Sequence, residues 1–147
     1  MVKWVLRRSS GTDNPHATDL KMGAAFDPIV SSLYAIDYDL FPEFLTVVSQ
    51  SENWGFSKAS FRFHENMDQH ELAQVSAVSG RKMKPGEVLI MEEQAGAVLL
   101  DSASFFRLVF DYGSALLANK ASRDLVANEW KADMHRALAL IAARLQS

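Results

Sequence analysis

The chain has 147 residues, of which 48% are hydrophobic and 22% are charged, and its formal net charge is −3. This length suits one domain, and this composition is typical of folded globular proteins rather than disordered ones. Cysteine is absent, which excludes disulfides, thiolate catalysis, cysteine-ligated zinc and iron–sulfur clusters. We therefore expect a single domain over residues 1–147 that is stabilised by burial of its apolar side chains.

The sequence has no obvious targeting or membrane segment. Its first residues, MVKWVLRR, lack the apolar run and the small-residue cleavage site of a secretion signal. No stretch reaches the roughly 18 apolar residues that a membrane-spanning helix needs. We expect a cytoplasmic protein that does not bind a membrane.

The negative charge is concentrated in one part of the chain. Residues 1–22 carry a net charge of +2, residues 58–147 are neutral, and residues 23–57 carry five acidic side chains with no Lys or Arg. A local field of one sign favours a partner of the opposite sign, whereas binding of nucleic acid needs a basic surface. The charge distribution therefore predicts a basic protein partner and no direct contact with nucleic acid.

Patterns in the first third of the chain predict one strand and two helices. Alternating residues over 1–8 favour a strand, and the turn-forming residues from Ser9 to Pro15 begin a loop that we extend through Gly23. Asp27 and Pro28 are typical of a helix start, with Asp as the N-cap. Residues 36–40 read as an extended connection, and a second helix follows over about 40–51.

The middle of the chain reads mainly as strands. Alternation predicts a strand over 56–64, with Ala59, Phe61 and Phe63 on one face. Residues 72–78 fit either a strand or a helix, and we favour a strand. A hairpin is expected from residues 88–91 and 97–100.

Two helices are predicted at the C-terminal end. The first is capped by Asp101 or Ser102, and the second is opened by Ser122 and has apolar residues at helical spacing from Val126 to Leu145. The resulting fold class is α+β, with an antiparallel sheet of four or five strands covered by helices.

One short segment has the residue types of a metal or acid–base site, namely His64, Asp68, His70 and Glu71. On a helix, His64 and His70 would point about 120° apart, unlike the four-residue spacing of a zinc-binding helix. We therefore favour a solvated loop and predict no catalytic residue, metal or cofactor. A small metal-assisted hydrolase that uses these four residues is the alternative.

The acidic segment also contains aromatic residues, and this mixture is typical of protein-binding surfaces. We assign partner binding to seven of its residues: Tyr34, Asp37, Tyr38, Asp39, Glu43, Glu52 and Trp54. The alternative is that Tyr34, Leu40 and Phe41 belong to the core and that the acids only offset the helix dipole.

In its general character the chain resembles bacterial immunity proteins of the contact-dependent-inhibition or polymorphic-toxin type. The resemblance lies in a small, cysteine-free, mildly acidic α+β chain with no catalytic motif, in Asp37-Tyr38-Asp39-x-x-x-Glu43, and in the helix from Asp101 to Tyr112. It implies a protein that is not an enzyme. Such a protein binds one cognate toxin domain, often a basic nuclease, and occludes its active site.

A third hypothesis is a structural adaptor or secretion chaperone. It would hold an apolar partner segment through exposed aromatic residues such as Trp4, Trp54 or Phe56. A partner that is unfolded when bound would favour this role over inhibition of a folded enzyme.

Overall fold

The structure is a computed structural model that describes residues 2–8, 18–56, 58–123 and 127–146. The strands in this part of the chain are β1 (Trp4–Arg8), β2 (Thr18–Met22), β3 (Trp54–Gly55), β4 (Ala59–Phe63), β5 (Glu87–Glu92) and β6 (Gly96–Asp101). The α-helices are α1 (Asp27–Ala35), α2 (Phe41–Ser49), α3 (Gln69–Ser79), α4 (Ser102–Arg123) and α5 (Asn128–Gln146). The α+β class and the two C-terminal helices are confirmed.

The strands form two separate antiparallel sheets. Strands β3, β4, β5 and β6 make a four-stranded sheet in chain order, while β1 pairs only with β2. The predicted loop through Gly23 is therefore wrong over residues 18–22, and the turn-forming cluster from Ser9 to Pro15 lies outside the described residues. The signal for β2 is weak because its inward side chains are the polar Thr18, the buried Leu20 and the half-buried Met22.

The main core lies on one face of the four-stranded sheet. Alternation places Ala59, Phe61 and Phe63 of β4 on this face, as predicted, and all three are buried. α1 packs over β5 and β6, while α2 contacts β3, α4 and α5. The core is rich in aromatic rings in edge-to-face contact, such as Phe44 with Phe61 at 4.9 Å between centroids.

The opposite face of the sheet is covered by α3, where a strand was predicted. Asp68 accepts a hydrogen bond from the Glu71 amide, and the Glu71 side chain accepts one from the Asp68 amide, which forms a capping box. Gly80 ends the helix in a left-handed conformation, with φ 86°. The strand prediction is wrong because these capping signals outweigh the short alternation of Ala73, Val75 and Ala77. A second, smaller cluster forms between α3 and the sheet: Met67, Val75, Met83, Leu89 and Leu99.

The helix boundaries differ from the predictions by a few residues. α1 follows a 3-10 turn and is capped by Phe26, with Asp27 and Pro28 inside its first turn, and residues 38–40 form a second 3-10 turn where an extended connection was predicted. Asp101 caps α4 by accepting a hydrogen bond from the Ser104 amide at 2.9 Å. Ser122 lies within α4 and α5 starts at Asn128, so the predicted start of the last helix is wrong; Val126 lies outside the described residues.

Gly113 allows the two C-terminal helices and α2 to approach closely. A Cβ atom at this position would lie 3.0 Å from Leu138 of α5 and 3.2 Å from Leu45 of α2. The core face of α5 is confirmed by the burial of Trp130, Met134, Leu138 and Ile141. This packing fixes α5 beside α2, where the acidic segment lies.

Candidate functional site

Within the acidic segment, residues 36–40 form a tight connection between α1 and α2. α1 ends because Ile36 is extended, with ψ 120°, and its side chain is buried. The Leu40 amide then donates a hydrogen bond to the Asp37 carbonyl at 3.0 Å, which closes the 3-10 turn. α2 begins at Phe41, with Pro42 in its first turn. We call residues 37–43 the acidic turn.

Two buried apolar residues, Ile36 just before the acidic turn and Phe41 within it, hold the turn to the core. Between them, Asp37, Asp39 and Leu40 are exposed, and Leu40 has 45% of its surface accessible. The alternative interpretation of the sequence placed Leu40 in the core. The 3-10 turn places it in solvent instead, so that it lies among carboxylates.

Tyr38 is anchored to the helices behind the turn rather than directed outward. Its carbonyl accepts a hydrogen bond from the Trp130 indole at 2.6 Å, and its ring meets the Trp130 ring edge to face at 5.7 Å. The Lys120 ammonium lies 4.4 Å from the centroid on the ring face. Tyr38 is half-buried by these contacts, so it positions the acidic turn against α4 and α5.

Glu43 extends the acidic turn towards α5. It lines a shallow cleft of about 280 Å³ together with Pro42, Thr46, Val47, Asp133 and Arg136. Asp133 and Arg136 are paired with each other across one turn of α5. Sequence reasoning missed these two residues, because no local signal relates positions 90 residues apart along the chain.

Tyr34 lies one helical turn before the acidic turn and is 37% exposed. Its hydroxyl accepts a hydrogen bond from the Leu20 amide at 2.8 Å, so that it connects α1 to β2. The ring contacts Tyr112 at a centroid distance of 6.5 Å. Burial raises the pKa of Tyr112 far above its usual value, so its hydroxyl stays protonated at neutral pH and is not available as a base.

Glu52 and Trp54 follow the other end of α2, and six helical residues, 44–49, separate them from the acidic turn, which is about 9 Å of helix. Glu52 is exposed. The Trp54 ring packs edge to face against Phe44 at 5.8 Å, and its indole N–H is buried without a hydrogen-bond partner among the described residues. The structure therefore brings together Asp37, Asp39, Leu40 and Glu43, but not Glu52 or Trp54.

The four residues of the metal-site hypothesis have structural contacts instead. Asp68 and Glu71 form the capping box of α3, and Glu71 also pairs with Arg62 of β4. The His70 Nε2 atom lies 3.1 Å from the side-chain amide nitrogen of Gln74, one turn along α3. His64 lies in a 3-10 turn before α3. Within the described ranges, no group of three or more His, Asp or Glu side chains is placed to hold a metal ion.

Of the aromatic residues proposed for an adaptor, only Phe56 is well exposed, at 40%. Trp4 is half-buried and donates its indole N–H to Asp111 at 3.1 Å. Phe56 lines a groove of about 440 Å³ on the α3 side of the sheet, together with Val78, Met91 and Ala97. The charged residues Lys58, Glu92 and Glu93 also line this groove.

Among the described helices, none is both long and apolar enough to cross a membrane. Comparisons with protein-family models, curated proteins and solved structures find nothing that matches this chain.

Proposed function

We propose that this protein is an immunity protein that binds one cognate toxin domain with a basic surface and occludes its active site. The observation that carries the proposal is the acidic turn, where an exposed leucine lies between exposed carboxylates on a rigidly held backbone. The protein would act by binding alone, without chemistry of its own.

The acidic turn has the chemical character of a binding centre for a basic partner. Carboxylates steer an oppositely charged surface and raise the association rate, while a central apolar side chain contributes affinity once water is expelled. Two cations lie nearby, but they do not cancel this field. Arg136 pairs with Asp133, and Lys120, which contacts the Tyr38 ring, supplies one positive charge against the three carboxylates of the turn. The turn therefore presents a net negative surface.

The position of the turn also supports occlusion of a concave site. Buried residues on both sides and the Trp130 hydrogen bond fix its backbone, so little conformational freedom is lost on binding. An exposed acidic loop with a fixed backbone is suited to bind a basic cleft such as the active site of a nuclease.

A charge-reversal experiment tests this surface. Asp37 and Asp39 make no side-chain hydrogen bond with described residues, so Asp37→Lys with Asp39→Lys should leave the fold intact. The immunity role predicts that the partner is the variable C-terminal domain of a large secreted protein, and the adjacent upstream reading frame is the place to look for it. At low salt we expect the double variant to associate about tenfold to a hundredfold more slowly than the original chain.

The control reverses one exposed carboxylate outside both candidate surfaces, Glu65→Lys, in the 3-10 turn after β4. It should bind at close to the original rate. Unchanged affinity of the double variant at low salt would show that the acidic turn is not the binding surface. A partner domain that is not toxic on its own would contradict the immunity role itself.

The groove beside Phe56 favours a second candidate function, an adaptor that holds an extended apolar segment. Its exposed apolar side chains, Phe56 at 40% and Val78 at 49%, flank an open volume large enough for several side chains. Phe56→Ser discriminates between the two functions. Loss of partner binding in Phe56→Ser, with unchanged binding in the Asp37 and Asp39 variant, would favour the adaptor.

A further inference from the structure

The outer edge of β6 has no strand beside it among the described residues, because the four-stranded sheet ends there. The Ser102 amide donates a hydrogen bond to the Gly86 carbonyl at 2.8 Å. This bond determines which residues of β6 form hydrogen bonds with β5 and which point to the open edge. Val98 and Leu100 therefore bond to β5, whereas the N–H and C=O groups of Ala97, Leu99 and Asp101 point away from the sheet.

β6 lacks the features that usually protect an edge strand. It has six residues, GAVLLD, with no proline, no lysine and no bulge in its register with β5. Such apolar edges readily pair with another strand, so natural proteins shorten, charge or cover them. The other edge of this sheet follows that rule, because β3 has only two residues.

We propose that β6 pairs antiparallel with β6 of a second copy of this chain, so that the two sheets join into one continuous sheet. A two-fold axis at Leu99 aligns the outward groups of both strands. Leu99 then faces Leu99 of the second copy, and Ala97 faces Asp101 of the second copy, with two N–H···O bonds exchanged in each of these pairs.

The side chains of β6 suit this register on both faces of the sheet. Leu99 lies on the α3 face, so the two copies would place leucine beside leucine there. On the core face, half-buried Val98 would lie opposite Leu100 of the second copy. No like charges face each other, because the only charged residue of the strand, Asp101, is opposite an alanine.

The occupant is a second copy because the strand is self-complementary in length, charge and apolar pattern. None of the residues of the acidic turn belongs to β6, so none of them takes part in this strand pairing. The dimer would then carry two copies of the proposed binding surface.

The first test uses the full chain in sedimentation equilibrium over micromolar to several hundred micromolar concentrations. We expect a reversible monomer–dimer equilibrium. A chain that stays monomeric throughout this range would overturn the proposal.

Two substitutions at the same half-buried position then test the register. Ala97→Asp places a carboxylate opposite Asp101 of the second copy, and the two-fold axis creates two such pairs in each dimer. We expect the dimer dissociation constant to rise about tenfold. Ala97→Lys places an ammonium group there and should leave this constant unchanged or lower it. Both variants add a charged side chain at the same site, so a general disturbance of the hairpin would weaken the dimer in both. A weaker dimer in Ala97→Asp alone would therefore support the proposed register.

Amide hydrogen exchange gives a residue-level readout that does not depend on any variant. In the dimer the amides of Ala97, Leu99 and Asp101 should become protected as concentration rises, while those of Val98 and Leu100 are protected at all concentrations. A dimer in which the three outward amides still exchange rapidly would show that another surface mediates association. If the chain stays monomeric and its three outward amides become protected only when a partner is added, the natural occupant of the edge is an extended peptide and not a second copy.

Discussion

Gly113 offers a sharp test of the packing that places α5 beside the acidic turn. In Gly113→Ala the new methyl group would lie 3.0 Å from Leu138 Cδ2 and 3.2 Å from Leu45 Cδ1. Both distances are shorter than the roughly 3.5–4.0 Å of a comfortable carbon–carbon contact. The two leucines must therefore shift if the methyl group is to fit.

Two opposing effects set the stability of this variant. Alanine is favoured over glycine inside a helix by about 1 kcal/mol, whereas an extra methyl group in a well-packed core costs roughly 1–3 kcal/mol. Leu45 is fully buried and Leu138 is 7% exposed, so neither side chain has solvent to move into. We expect the packing cost to dominate and the free energy of unfolding to fall by about 1 kcal/mol.

Urea denaturation followed by far-ultraviolet circular dichroism measures this change. Ala118→Gly, at an exposed position of the same helix, isolates the helix-propensity term and should also lose about 1 kcal/mol. If Gly113→Ala is instead more stable than the original chain by about this amount, propensity acts alone. The close approach of α2, α4 and α5 would then be refuted.

Two further predictions concern hydrogen bonds that hold the turns. Trp130→Phe removes the bond to the Tyr38 carbonyl and should lower the free energy of unfolding by about 1–2 kcal/mol, measured by thermal denaturation; equal stability would show that the bond contributes nothing. The Arg81 guanidinium holds the pKa of Glu87 below its usual value, so the folded state binds this proton less readily than the unfolded state. The resulting stability is present above the usual glutamate pKa of about 4.3 and is lost as pH falls through the lower folded value. Glu87→Gln should therefore destabilise the protein at neutral pH and matter little in acid, whereas a pH-independent deficit would contradict this origin.

The strands with a buried apolar face could be predicted from the sequence, and those without one could not. β4 alternates between buried apolar residues and half-buried polar ones, and a short turn before Gly96 joins β5 to β6. β2 was missed because its inward residues are the polar Thr18, the buried Leu20 and the half-buried Met22, which is a weak apolar pattern. β3 is very short and β2 is largely polar. Each of them becomes a strand because it pairs with a neighbouring strand, and its own residues carry little strand signal.

The misreading of α3 has a different physical cause. Only Val75 of this helix is fully buried, so its apolar residues do not form the wide stripe on which helix prediction depends. The decisive signals were at its ends, in the spacing of Asp68 and Glu71 and in Gly80. Capping residues would have settled the choice between helix and strand.

The candidate site could be predicted only where it is contiguous in sequence. Asp37, Asp39 and Glu43 are neighbours along the chain and remain neighbours in space. The outward and inward roles of Tyr38 and Leu40 depend on a 3-10 turn, which rotates successive side chains by about 120° instead of 100°. Asp133 and Arg136 join the surface through packing of α5 on α2, a long-range relation that no local pattern encodes.

The two faces of the sheet are protected very unequally, and this has a consequence for how the protein opens. The core face is sealed by four helices and many aromatic side chains, whereas the α3 face is held by a small cluster to which the helix contributes one fully buried residue. The free energy of detaching α3 alone is therefore much smaller than that of global unfolding. Transient release of this one helix would expose Leu89 and Leu99 on one face of the sheet, while the main core and the acidic turn keep their native structure. Partner binding through the acidic turn would therefore not be lost when α3 detaches.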